Sequence, residues 1–203
     1  MLIKNVLSSE KANELENIIM GSDFPWYWNE STLVNYDNTF KDLRNYQFTH
    51  NFYVNGKINS NYCYLIDSII ESIEKNTDVK IKRIFRAKAN LLTQVNLTEE
   101  EIEAETHTDI LIDKYYSFVY YVCDSDGETV LYDDDVIEKA TPEKNTGIFF
   151  KSSINHRGTN PSVNKRRVVI NLVLETFWVL SLMDKILHSD CNDAGSIPAG
   201  LTC

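Results

Sequence analysis

Glycine and proline are scarce, seven and four in 203 residues, and no internal repeat or low-complexity segment appears. That excludes collagen-like, linker-like and repeat architectures. No apolar run approaches the roughly 20 residues that cross a bilayer, so no membrane partner is expected. The opening stretch, Met1 to Ser9, lacks the basic-then-apolar layout of a secretion signal. A cytoplasmic protein is the expectation. The four cysteines, Cys63, Cys123, Cys191 and Cys203, lie far apart and form no CxxC pair. A zinc ribbon, a dithiol redox motif and a disulfide framework are therefore excluded. Basic residues are also few: 20 against 30 acids, for a net charge of −10. Between Glu99 and Glu138 there are 14 carboxylates and one base, Lys114. Such a stretch repels phosphate and makes duplex nucleic acid a poor partner. Its ordinary explanation is a solvated face. If it rims a pocket instead, it favours a cationic or peptide substrate.

What is present is enough apolar residue, 43% of the chain, to fill one sizeable core. Ser8 or Ser9 can cap a helix carrying Ala12, Leu15, Ile18 and Ile19 at helical spacing, with Gly21 as its stop. Tyr62, Leu65, Ile66, Ile69, Ile70 and Ile73 form the stripe of a second helix. Phe24 to Tyr53, aromatic and Asn-rich, follows neither period.

From Val79 the period becomes two, and one or two strands run to about Val95. Further strands are expected at Tyr115–Cys123, Thr129–Tyr132, Gly147–Lys151 and Arg167–Glu175, with a turn at Asp124–Gly127. Helices first and short strands later, without βα alternation, give an α+β class with a mainly β core: an antiparallel sandwich or barrel, helices outside. Residues 1–190 are read as one domain, helical over 1–78, with the strand core at 79–178. Residues 191–203, rich in small side chains, are read as a disordered tail or a readthrough scar.

Two of the four histidines stand in suggestive settings. In His107-Thr108-Asp109, residues two apart on an extended segment project to one side, so imidazole and carboxylate converge. His156 follows the apolar strand GIFFK by five positions. Two imidazoles and one carboxylate make a facial ligand set that leaves three positions of an octahedral iron open. Taken alone, HxD is as readily a surface pair joined by a hydrogen bond. Eleven residues past His156, Arg167 opens the apolar strand RVVINLVL. A guanidinium can hold a carboxylate with two parallel hydrogen bonds.

From about Arg86 to Glu175 the chain resembles the Fe(II)/2-oxoglutarate-dependent oxygenases, in particular their prolyl-hydroxylase-like branch. HTD resembles the HxD motif, and SFVYYVCDSDGET the strand, turn and Gly-x-Thr strand after it. GIFFKSSINHRG resembles the approach to the distal histidine, and RRVVINLVL the last core strand. The resemblance implies a double-stranded β-helix, the jelly roll of cupin-like proteins. It implies iron ligation by His107, Asp109 and His156, and 2-oxoglutarate bound through its distal carboxylate by Arg167 and Tyr121. It implies a dioxygenase that uses O₂ to hydroxylate a small molecule or a peptidyl side chain, releasing succinate and CO₂. Asn171, four residues beyond Arg167, would share its face, and Asn90 or Gln94 would stand where the family often has a pocket tyrosine. Alternatives are a cupin-like metalloprotein without 2-oxoglutarate, or a non-catalytic jelly-roll binding module. Period alone favours Arg166 over Arg167 as the inward residue, because Val168, Ile170 and Leu172 form the greasier face. The resemblance over RVVIN favours Arg167.

Overall fold

The computed structural model describes residues 1–30, 46–95, 106–133 and 135–178. Glu99–Glu105, the start of the acidic stretch, and residues 191–203 lie outside the described residues. In chain order the elements are β1 (Leu2–Lys4), α1 (Ser9–Ile19), β2 (Tyr27–Asn29), β3 (Gln47–Val54) and β4 (Lys57–Ile58). Then come α2 (Tyr64–Asn76), β5 (Val79–Thr93), β6 (Tyr115–Tyr121), β7 (Thr129–Asp133) and β8 (Asp135–Ala140). The chain continues through β9 (Thr146–Lys151), β10 (Asn155–Gly158) and β11 (Arg166–Trp178).

α1 begins where Ser8 accepts a hydrogen bond from the Lys11 amide, satisfying one of the orphan donors of its first turn. It buries Ala12, Leu15 and Ile19, and α2 buries Leu65, Ile66, Ile69 and Ile73. Both stripes join one apolar cluster with Phe118 and Tyr120 of β6 and with Val168, Ile170, Leu172 and Leu174 of β11. Truncating a fully buried member such as Ile69 should cost about 2–5 kcal/mol.

The strands form two antiparallel sheets. The larger runs β1-β9-β6-β11-β5-β3-β2, with β4 on β3, and the smaller runs β10-β7-β8. β11 lies at the centre of the larger sheet, paired with β5 along 13 residues and with β6 along seven. Between the sheets lies a second, smaller apolar cluster of Val119, Tyr121, Leu131, Ala140, Ile148, Phe150 and Val169. This is a jelly roll whose larger sheet is backed by helices.

The N-terminal part, read as helical over 1–78, is not helical throughout. β1 edges the larger sheet against β9, and β3 pairs with β5. β3 (QFTHNFYV) shows no polar–apolar alternation because both of its faces are occupied. Thr49 accepts from the Asn29 amide at 2.8 Å. His50 donates to the Pro25 carbonyl at 2.8 Å and accepts from the Ser60 hydroxyl at 2.7 Å. Phe52 is fully buried. A strand covered on both sides loses its period-two signature.

Near the end of β11, Glu175 gathers three cations: Lys82 at 3.0 Å, Arg83 at 3.0 Å and Lys114 at 2.9 Å. Hydrogen bonds from the Lys114 and Lys82 ammonium groups hold its carboxyl down at about 2, from an ordinary value of 4.5. A carboxyl lowered on folding contributes stability above its unfolded value and loses it as the pH falls through the folded one. Glu175→Gln is therefore expected to lower Tm at pH 7, with the gap to the parent closing between pH 4.5 and 2. Equal melting at pH 7, or a gap that widens in acid, would contradict this ionic clamp.

Candidate metal and anion site

The two sheets leave a cavity of about 350 Å³, within the usual range for small ligands. His107 is brought to it by an isolated antiparallel bridge to His156: each backbone amide donates to the other's carbonyl, at 2.9 and 2.8 Å. Asp109 is pinned by its amide on the Ser152 carbonyl at 3.0 Å. The ligand atoms of His107, Asp109 and His156 all lie within 4.8 Å of one another. The two rings stand 4.5 Å apart between centroids.

The polar atoms around this triad are arranged for a cation. His156 Nδ1 lies 3.0 Å from the Ile154 carbonyl, which can only accept, so Nδ1 carries the proton and the Nε2 lone pair is free. That Nε2 is buried, has no hydrogen-bond partner, and lies 3.5 Å from Asp109 Oδ2. The Asp109 side chain is 1% exposed. It accepts from Arg86 on Oδ1 and from the Ser117 hydroxyl on Oδ2 at 2.6 Å. Ser117 is itself 2.8 Å from Ser152. Burial pushes the Asp109 carboxyl up, but the Arg86 guanidinium and the Ser117 hydroxyl hold it below its ordinary range. An ionised carboxylate beside a bare imidazole nitrogen, both shielded from water, fits a divalent metal.

At the other end of the cavity Arg167 is 4% exposed and Arg166 faces solvent. Arg167 Nε donates to the Gly127 carbonyl at 2.9 Å, and Nη2 to Thr129 Oγ1 at 2.7 Å. Gly158 leaves the guanidinium its room: a Cβ there would lie 2.8 Å from Nη1. Burial lowers the Arg167 pKa. Among the described residues no carboxylate lies within ion-pair distance of it. An unpaired buried guanidinium is costly, and its natural complement is an anion entering the cavity.

Asn171 shares the lining with Arg167 and Val169, and its Oδ1 is buried without a partner. Tyr121 stands apart. It is fully buried in the inter-sheet cluster, its hydroxyl donates to the Ala140 carbonyl at 3.5 Å, and it is not among the lining residues. Asn90 lines the cavity, whereas Gln94 donates to the Ser162 carbonyl at an exposed site.

Arg86, Ser117 and Lys88 were not singled out from sequence. For Arg86 and Lys88 the signal was the alternation RAKAN, in which fully buried Ala87 and Ala89 face the helices and Arg86, Lys88 and Asn90 face the cavity; Ser117, inside the apolar run YYSFVYY, carried none. Burial, with Arg86 nearby, lowers Lys88 to about 8, and Asp109 acts in the opposite direction. The described lining carries Arg86, Lys88, Arg157 and Arg167 against the single carboxylate of Asp109.

The architecture is the double-stranded β-helix of the Fe(II)/2-oxoglutarate oxygenases. The chain is similar to an oxidoreductase of the 2OG-Fe(II) oxygenase family from Burkholderia pseudomallei, with a TM-score of 0.59 and 12% identity over 85% of this chain and 82% of that one. It is similar to a Pseudomonas putida prolyl-4-hydroxylase, with a TM-score of 0.56 and 10% identity over 86% and 91%. It is also similar to the epimerase SnoN of nogalamycin biosynthesis, solved with Fe3+, alpha ketoglutarate and nogalamycin RO. There the TM-score is 0.53 and the identity 10%, over 98% of this chain and 88% of that one. No family model and no curated protein matches the sequence. At such identities the likeness establishes the fold.

If Arg167 is kept for a ligand and not for the fold, its loss should not destabilise the metal-free protein. Arg167→Met is expected to leave stability within about 1 kcal/mol of the parent or to raise it, against the 2–5 kcal/mol typical of a truncated structural core residue. Denaturant unfolding of the metal-free protein decides it. A loss of several kcal/mol would make Arg167 a structural residue.

Proposed function

We propose that the protein is an Fe(II)- and 2-oxoglutarate-dependent oxygenase that hydroxylates an organic substrate and releases succinate and CO₂. The observation that carries the reading is one cavity holding both the His107/Asp109/His156 cluster, with Asp109 and His156 buried, and a buried arginine that has no counter-ion among the described residues. When bound, iron with 2-oxoglutarate and O₂ supplies the oxidising chemistry. The chain's own groups supply the rest.

His107, Asp109 and His156 would hold the metal and leave positions for cosubstrate and O₂. Arg86 and Ser117 fix the Asp109 carboxylate, and the Ile154 carbonyl fixes the His156 tautomer. Partners of this kind usually support metal affinity by 10–100-fold. Arg167, held by Gly127 and Thr129, would receive the distal carboxylate of 2-oxoglutarate. Val119 and Val169 supply apolar wall between the two ends and exclude water. Tyr121, buried outside the lining, has no contact with the cosubstrate in this reading. Neighbours of the same fold include a prolyl-4-hydroxylase and an epimerase, so the fold alone does not choose the outcome. Hydroxylation is assigned from the motif resemblance to the prolyl-hydroxylase-like branch.

Anaerobic titration tests the assignment. One Fe(II) or Mn(II) per chain is expected, with binding lost in His156→Ala and weakened about 10–100-fold in Ser117→Ala. 2-Oxoglutarate should then bind the loaded protein, weakened by about 2–5 kcal/mol in Arg167→Met and by well under 1 in Arg166→Met. Metal binding without 2-oxoglutarate binding would indicate a cupin-like metalloprotein. Binding of neither would indicate a non-catalytic module.

A further inference from the structure

We propose that Asp126 is a positioning residue for the cosubstrate: it gathers the loop between β10 and β11 and so fixes the segment that aims the Arg167 guanidinium. The inference deepens the oxygenase reading above and rests on it.

Arg167 is aimed from one side. Its Nε and Nη2 donate to the Gly127 carbonyl and to Thr129 Oγ1. That edge of the fork is occupied by the protein, and the Nη1/Nη2 edge is left for the two oxygens of a carboxylate. Where that edge points is therefore set by where residues 127–129 lie. They follow the turn at Asp124–Gly127 and enter β7. Against them runs the connection 159–165, which leads from β10, carrying His156, to β11, carrying Arg167. Turn, loop and arginine meet at Gly127. A Cβ there would lie 2.5 Å from the Thr159 carbonyl oxygen, 2.9 Å from Arg167 Cδ and 3.0 Å from the Pro161 nitrogen.

Residues 162–165 of this connection are exposed, and an exposed loop with little packing opens readily. Here its polar groups converge on one carboxylate. Asp126 Oδ2 accepts from the Ser162 amide at 2.8 Å, the Ser162 hydroxyl at 2.7 Å and the Val163 amide at 2.8 Å. Oδ1 accepts from the Asn164 amide at 2.8 Å. The Asn164 side chain completes the clamp by accepting from the Asp126 amide at 2.9 Å. Desolvation pushes the Asp126 carboxyl up, but these amides and the hydroxyl hold it far below its ordinary range. Two residues on, the contact continues: the Glu128 amide donates to Thr159 Oγ1 at 2.7 Å, and the Thr159 amide to the Glu128 carbonyl at 2.8 Å. Releasing the loop from Asp126 therefore loosens the carbonyl that orients Arg167. Asp126 is not among the lining residues, so it acts through Arg167 and not on the bound molecule. Displacing an orienting group by about 1 Å is enough to weaken such a contact severely. Asp124, in the same turn, bonds elsewhere: its carboxylate accepts from the Lys144 amide at 2.6 Å.

The test titrates Mn(II), and then 2-oxoglutarate onto the Mn(II)-loaded full chain, by anaerobic calorimetry. Asp126→Ala is expected to weaken 2-oxoglutarate binding about tenfold or more, with Mn(II) affinity staying within about twofold of the parent. Asp126→Asn, which keeps the size and one acceptor oxygen, should weaken 2-oxoglutarate about threefold, again without moving Mn(II). Asp124→Ala should leave both affinities as in the parent. A residue that only stabilised the fold would lower Tm without separating the two affinities. The inference is overturned if Asp126→Ala binds 2-oxoglutarate as the parent does. It is equally overturned if Mn(II) affinity falls in step with 2-oxoglutarate, or if Asp124→Ala has the same effect. Should Asp126→Ala not fold, the same separation in Asp126→Asn decides the matter. Failure of the parent itself to bind 2-oxoglutarate would remove the oxygenase reading and this inference with it, whereas binding that survives in the variants removes only the inference.

Discussion

Alternation along β11 is the constraint on which the rest of the molecule depends. Successive side chains of a strand must face opposite ways, and β11 is held in register by neighbours on both sides. Val168, Ile170, Leu172 and Leu174 therefore all meet the helices, and Arg167, Val169 and Asn171 all meet the cavity. Slipping the register by one residue would bury Arg166 under α1 and α2 and turn the leucines toward the ligand space. The helical layer is thus the partner that sets which arginine is available for chemistry. β5 repeats the arrangement, with Ala87 and Ala89 on the helix side and Arg86, Lys88 and Asn90 opposite.

From that division the site acquires its two ends. One is made by β10 and the HTD segment, joined backbone to backbone through His107 and His156, with Asp109 ionised by its cationic and hydroxyl neighbours. The other is made by Arg167, whose hydrogen-bond partners among the described residues are Gly127 and Thr129. Each end is incomplete in the same sense. A lone pair at His156 and a cation at Arg167 are withheld from water without the group that would normally balance them. Folding sustains this imbalance because the main apolar cluster lies on the other face of the sheet and does not depend on the cavity.

Much of this was legible in the sequence. The capped first helix and the Leu65–Ile73 stripe carry a helical period, the strand at 79–93 opens with alternation, and those at 115–121, 146–151 and 166–178 are marked by their β-forming and apolar residues. HxD, the distal histidine and the arginine after it mark the site. Three things were hidden, each for a physical reason. β3 is covered on both faces, so it has no alternation to read. β10 is four residues, NHRG, with no apolar side chain to announce it. The direction of β11 was misleading from period alone, because the greasier face was taken for the barrel interior. The principal core lies instead between sheet and helices.

The central claim is that the metal cluster and Arg167 form one working site. Its most direct test is the conversion of 2-oxoglutarate to succinate by the purified protein, with Fe(II) and O₂ and without added substrate. The account predicts slow succinate formation that requires Fe(II) and disappears in His156→Ala and in Arg167→Met, while Arg166→Met retains it. Succinate formation that is no faster with the protein than without it, in a preparation shown to bind both Fe(II) and 2-oxoglutarate, would contradict the account.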